Sequence, residues 1–167
     1  MKQSVSPAID EMVNLSSSRR RRLECSLYIL AALTALVGLA DSIYLTVHHL
    51  TGQDVECVAS TGCGEVLGSD YAAFGKIPLA ALGAIAYFGV FSLSTLGAFD
   101  REWARPVFLC LVSVMLAVTC WLLYLQAFVL HAFCDFCLLS AALTVVLSAI
   151  GSGLFFIGRR ATRGLAG

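Results

Sequence analysis

Four long stretches without a charged side chain constrain this chain more than anything else in it. Residues 25–40 form the first, 16 long between Glu24 and Asp41, and its apolar pattern continues through Tyr44 to Val47. Residues 77–99 give 23 more, residues 106–130 give 25 and residues 136–158 give 23. A helix rising about 1.5 Å per residue crosses a hydrocarbon layer about 30 Å thick in roughly 20 residues. Three runs reach that length outright, and the first reaches it if Asp41 sits near an interface. The expected fold is all-α: a bundle of four transmembrane helices. Composition agrees, with 59% apolar and 13% charged residues against about 45–50% and about 25% in soluble domains. That excludes a water-soluble globule, a nucleic-acid binder and a disordered chain.

The formal charge is zero, so orientation comes from where the charges lie. Lys2, Arg19 to Arg22, Arg101, Arg105, Arg159, Arg160 and Arg163 fall on one side of a four-span arrangement, and Lys76 alone on the other. The positive-inside rule then places both termini in the cytoplasm. Arg19 to Arg22 before an apolar run imitate a signal peptide, but the run is too long and no A-x-A site follows. Residues 1–22 are expected to form a cytoplasmic tail, mobile over its first 18, and residues 159–167 a second tail with no soluble appendage. Residues 23–158 form the membrane domain. Its outer loop, 48–76, has turn-forming glycines, and Glu65 to Leu67 with Tyr71 to Phe74 predict a short helix lying over the bundle.

This topology sorts the seven cysteines. Cys25, Cys110 and Cys120 lie within spans and are expected to be inert packing residues. Cys57 and Cys63 in the outer loop and Cys134 and Cys137 at the start of the fourth span converge on the outer face. Thiols there meet an oxidising environment, so disulfides are expected. Three readings are open: inert staples, a four-cysteine zinc site, or exchanging thiols. Cys134 and Cys137 are three apart at a helix start, so they share a face near the positive end of the helix dipole. That favours exchange chemistry, although Asp135 between them works against thiolate formation.

With these residues laid out, the chain resembles the bacterial branch of the vitamin K epoxide reductase family. The resemblance rests on Ala40-Asp41-Ser42-Ile43-Tyr44-Leu45-Thr46, on Cys57 and Cys63, and on Ser69 and Tyr71. Gly75-Lys76-Ile77-Pro78-Leu79, Gly83, Tyr87 and Cys134-Asp135-Phe136-Cys137 complete it. It implies a four-helix bundle that holds a quinone (menaquinone, ubiquinone or a vitamin K-type quinone) near the outer surface; no metal is expected, because an oxidising outer face competes for the thiols. It also implies roles: Cys137 faces the quinone and Cys134 exchanges with Cys63. Cys57 receives electrons from a thioredoxin-like protein, and Ser69 lies by the quinone in the capping helix. Many bacterial members carry a fused thioredoxin-like domain and this sequence contains none, so a separate partner protein on the outer face is expected. One departure is that Leu79 and Ala141 stand where animal enzymes place polar residues against the vitamin K ketones. That implies quinone reduction rather than epoxide reduction or warfarin sensitivity.

The chemistry of the residues is consistent with this. A quinone dissolves in lipid and accepts two electrons and two protons, which a dithiol releases when it closes. The candidate quinone contacts are Ser69, Cys137, Phe136, Leu79 and Tyr87, with Asp41 and His131 as polar or proton support. Asp41 is read more readily as an interface residue bonded to loop backbone, His131 equally as an interfacial helix-end residue, and His48 and His49 as interfacial only. The expected function is a thiol:quinone oxidoreductase of the bacterial inner membrane that supports disulfide formation, a thylakoid or other organelle membrane being the other location considered. The rival from another class is a small transporter or structural four-helix protein with inert outer-loop disulfides. An unrelated four-helix periplasmic thiol oxidase carries its C-x-x-C in the first outer loop, the reverse of the order here.

Overall fold

The computed structural model describes residues 7–51, 63–67, 73–74, 77–101 and 103–164. Helix α1 spans Pro7–Thr51 and is followed by a short helix α2, Cys63–Leu67. Two-residue strands β1 (Ala73–Phe74) and β2 (Ile77–Pro78) lead into α3, Leu79–Ala98. Then come α4, Ala104–Tyr124, a π-helical turn, Leu125–Leu130, and α5, Asp135–Gly164. Four helices among the described residues are long and apolar enough to cross a membrane: Ser18–Thr51, Leu79–Ala98, Ala104–Leu130 and Asp135–Arg159. The chain is a multi-pass membrane protein. Helix α1 packs on α3 and α5, and α4 packs on the same two, which closes a four-helix ring.

The surface is the reverse of a soluble protein's. Large apolar side chains such as Ile85, Phe88, Val145 and Phe156 point outward, as a lipid solvent allows. Inside, Ala31 and Ala35 of α1, Val90 of α3, Phe108 and Val112 of α4, and Leu147 and Leu154 of α5 form the core. Small residues set the closest approaches, as is usual between membrane helices. A Cβ at Gly38 would lie 2.4 Å from the Tyr87 ring, and one at Gly97 would lie 2.5 Å from the Tyr28 ring.

At the arginine end, Glu24 holds Arg20 at 3.4 Å and Arg105 at 3.2 Å, while Arg21 pairs with Asp100. Helix α3 stops where Asp100 turns left-handed (φ 59°). Its N–H bonds to Gly97 O at 3.2 Å and the Arg101 N–H to Leu96 O at 3.2 Å, which satisfies two end carbonyls.

Two expectations change. The segment read as a mobile tail is helical from Pro7 onward, because no helix breaker follows Pro7 before the first span and Arg20 with Glu24 adds an i,i+4 pair. Among the described residues the loop helix is Cys63–Leu67, and Ala73 and Phe74, expected to be helical, pair with Pro78 and Ile77 as antiparallel strands. Gly75-Lys76, a glycine followed by one further residue, is a sequence that two-residue hairpin connections favour.

The ten-to-one basic asymmetry makes a topology prediction. A reporter fused after Gly167 that is active only in the cytoplasm should be active. Activity of an externally restricted reporter at that position would contradict it.

Candidate active site

The site is assembled where α4 passes into α5. Helix α4 ends in the π-helical turn, and His131 closes it in a left-handed conformation (φ 51°), with the Ala132 N–H on Gln126 O at 3.2 Å. A π turn carries an extra residue per turn and is frequent at functional sites. Here Gln126 is 3% exposed, and its Oε1 accepts the backbone N–H of Cys134 at 3.4 Å. Cys134 caps α5, since its carbonyl accepts the Leu138 N–H at 3.0 Å. Cys137 follows on the first turn.

The two thiols of this pair have different surroundings. Cys134 is fully buried in a cluster with Cys63, Val66 and Ala132, against which Leu130, Phe136 and Cys137 pack. Cys63 is disulfide-bonded, whereas Cys134 and Cys137 carry free thiols. The Cys134 thiol is lowered from 9.0 to about 7, chiefly by a hydrogen bond from the Cys137 side chain. Burial opposes this, the Cys137 and Phe136 backbone N–H groups assist, and the Asp135 carboxylate opposes. A thiol so placed is substantially ionised near neutral pH, the state that exchanges.

Cys137, unlike Cys134, lines a cavity of about 360 Å³. This is near the lower end of ligand-binding cavities, roughly 300–1,000 Å³. Leu79, Val118, Leu122 and Ala141 are among its apolar walls, and Val66 of α2 also lines it. Polar atoms enter from Asp41, Ser42, Gln126, Ser140 and Thr144. Tyr87 seals one wall, with its hydroxyl 3.0 Å from Ser140 O, 2.9 Å from Ser140 Oγ and 3.3 Å from Thr144 Oγ1. A mostly apolar chamber with a thiol and a few polar groups suits a flat, lipid-soluble ring bearing carbonyls.

The sequence matches the vitamin K epoxide reductase family over residues 29–151. The chain belongs to this family. It is also similar to the thiol-disulfide oxidoreductase LTO1 of Arabidopsis thaliana, 33% identical over 116 residues. That alignment covers 64% of this chain and 31% of the relative, so the chain spans about a third of the relative's length.

Of the residues singled out in the sequence, the structure brings Cys137, Leu79, Tyr87 and Asp41 onto one cavity of this vitamin K epoxide reductase fold. Ala141 faces it as well. Cys63 and Cys134 meet beside it. Phe136 is not on the cavity wall; its ring packs 5.3 Å from that of Tyr44. His131 is exposed and serves as the left-handed helix end, away from the cavity. Cys57 and Ser69 lie outside the described residues. Of the span cysteines, Cys25 is half-buried, while Cys110 and Cys120 are exposed on α4 instead of packed in the core.

Several cavity residues escaped the sequence reading, among them Gln126, Ser140, Thr144 and His49. Gln126 is the only amide in its 25-residue run, and a buried amide in an apolar medium is costly without a partner. That was a usable signal. His49, read as interfacial only, reaches the cavity, while the neighbouring His48 ring packs 4.4 Å from Tyr44.

The cavity wall depends on Gly38. Gly38→Ala drives a methyl into a ring that three oxygen contacts hold in place, and overpacking of this kind costs about 1–3 kcal/mol. Thermal unfolding in detergent should show the loss. Gly64→Ala, where an added Cβ meets nothing within 4 Å, should leave the melting temperature nearly unchanged.

Proposed function

We propose that the chain is a thiol:quinone oxidoreductase that reoxidises a thioredoxin-like protein and so supports disulfide formation. The observation that carries this reading is the division of the C-x-x-C pair. Cys134 is packed with the loop cysteine Cys63, while Cys137 is on the apolar cavity. One thiol of the pair is turned toward protein disulfides and the other toward a lipid-soluble acceptor.

In this reading the partner's thiolate attacks Cys57 of a Cys57–Cys63 disulfide and releases Cys63 as a thiolate. The partner's second thiol displaces Cys57 and closes the partner's own disulfide. Cys63 attacks Cys134 of a Cys134–Cys137 disulfide and releases Cys137, and the freed Cys57 then attacks Cys63 to resolve the mixed disulfide. This returns Cys63 to its loop disulfide and leaves Cys134 and Cys137 reduced. Each exchange breaks one S–S bond and forms one, so it costs little free energy and runs through mixed disulfides. Closure of Cys134 with Cys137 gives two electrons and two protons to the quinone. The quinone, a menaquinone, ubiquinone or vitamin K-type molecule, is a substrate that brings its own redox chemistry. Cys137, Leu79, Tyr87 and Ala141 would surround its ring, with Ser69 beside it. Leu79 and Ala141 offer it no hydrogen bonds, which fits plain quinone reduction better than epoxide chemistry.

The basic asymmetry supports an orientation with both termini cytoplasmic and the thiols on the outer face of a bacterial cytoplasmic membrane. There a separate thioredoxin-like protein can reach Cys57. Incubating purified protein with a reduced thioredoxin-like protein and a quinone tests the proposal. Quinone absorbance should fall in proportion to partner disulfide formed, and no change in either would refute it.

A further inference from the structure

The cavity holds a group that the thiol chemistry above leaves unused. Asp41 on α1 is 9% exposed and lines the same chamber as Cys137. Its Oδ2 is buried without a hydrogen-bond partner. An unpaired carboxylate in an apolar wall is expensive, and within a membrane span it marks a functional position by default.

The other titratable groups on this cavity are His49, Tyr87 and Cys137 itself. From α3 only Tyr87 faces in, and its hydroxyl is committed to Ser140 and Thr144. Helix α4 and its π turn contribute the neutral Gln126, and α5 contributes Cys137 with two hydroxyl side chains. On α1, His49 is eight residues beyond Asp41, about 12 Å along the helix axis, and is exposed at the mouth. Among the described residues, Asp41 is the acid–base group on the Cys137 cavity with a free buried oxygen.

We infer that Asp41 is the proton carrier of this site, taking the proton of Cys137 Sγ and handing it to an oxygen of the acceptor. The inference rests on the quinone-reductase reading. The balance closes without a further reactant. The Cys137 S–H bond breaks as Asp41 accepts its proton, and the Cys134 S–H bond breaks as the S–S bond forms. The electron pair goes to the acceptor, and two O–H bonds form on it. Asp41 supplies one of these protons, Cys134 the other, and Asp41 returns to its starting form.

The test uses the full chain in detergent, with dithiothreitol as reductant and a short-tailed ubiquinone as acceptor, corrected for the protein-free rate. Asp41→Asn keeps the shape and loses the proton. It should lower kcat by about 10²-fold, the scale of one general acid–base group, with KM for the quinone and thermal stability held. Asp41→Glu should recover part of the rate. Asp41→Ala should regain activity with added sodium formate, which can occupy the vacated space and carry the proton, but not with sodium chloride at equal ionic strength. A kcat for Asp41→Asn within about threefold of the parent overturns the inference, being far short of what proton transfer supplies. So does a loss confined to KM, or an Asp41→Ala defect that formate leaves untouched. If the parent protein itself reduces no quinone, the quinone-reductase reading fails instead.

Discussion

Cys137→Ala protein should reduce quinone no faster than buffer does, whichever reductant is supplied, whereas Cys57→Ala should keep most of its rate with dithiothreitol and lose it with the protein partner. The contrast follows from where the sulfurs sit. Cys137 lies on the cavity wall, so without it the described lining has no thiol to pass electrons, and small dithiols cannot substitute for a group held at the acceptor. In the proposed relay Cys57 acts only within the loop, receiving electrons from a protein and resolving the mixed disulfide. A molecule as small as dithiothreitol can reduce Cys134–Cys137 directly and bypass the loop. Quinone absorbance under anaerobic conditions, with each reductant in turn, is the measurement. Cys110→Ala and Cys120→Ala provide the controls: both positions are exposed, so truncation opens no cavity and the rate should hold. Equal behaviour of Cys137→Ala and Cys57→Ala with dithiothreitol would remove the division of labour on which the proposal stands.

The second large effect is structural. With Cys57 and Cys137 both replaced by Ala, mild oxidation should join Cys63 to Cys134 in nearly all molecules. The two residues are 1% and 0% exposed and belong to one cluster with Val66 and Ala132. Neither then has its proposed exchange partner, and a disulfide needs its Cβ atoms only about 3.5–4.5 Å apart. Peptide mapping without reduction should recover one linked pair. Recovery of both as separately alkylated thiols would mean that the loop and helix do not exchange. The single Cys57→Ala variant is less informative, because Cys137 can still attack Cys134 and reopen the bond.

Much of this was legible in the chain. The four spans follow from uncharged runs whose length matches the hydrocarbon layer, and the observed helices agree to within a few residues for α3, α4 with its π turn, and α5. The convergence of Cys63, Cys134 and Cys137 follows from topology, since two segments on one side of four spans have little area in which to avoid each other. What the sequence could not supply depends on tertiary packing. Gln126 lies in the π turn and accepts the Cys134 N–H across the connection, a contact no local propensity encodes. Phe136 is a candidate quinone contact in the sequence, but neighbours on a helix point about 100° apart, and this one turns to Tyr44 while Cys137 meets the cavity. His49 and His48 are adjacent too, and only the rotation of α1 in the bundle decides which of them reaches the chamber.

The two tyrosine–glycine contacts between α1 and α3 have a wider consequence. Tyr28 of α1 is seated on Gly97 of α3, and Tyr87 of α3 on Gly38 of α1. The separation along each antiparallel helix is the same, ten residues or about 15 Å, so the contacts are reciprocal and key the pair at two heights. Axial sliding in either direction would push both rings against backbone at once. The helices therefore act as a ruler with its zero at the arginine belt. From Glu24 to Asp41 that ruler reads about 26 Å, close to the thickness of a hydrocarbon layer. A thicker or thinner bilayer should then change how deep the thiols ride in the lipid, and so how easily quinone and protein reach them, while leaving the spacing among the thiols as it is.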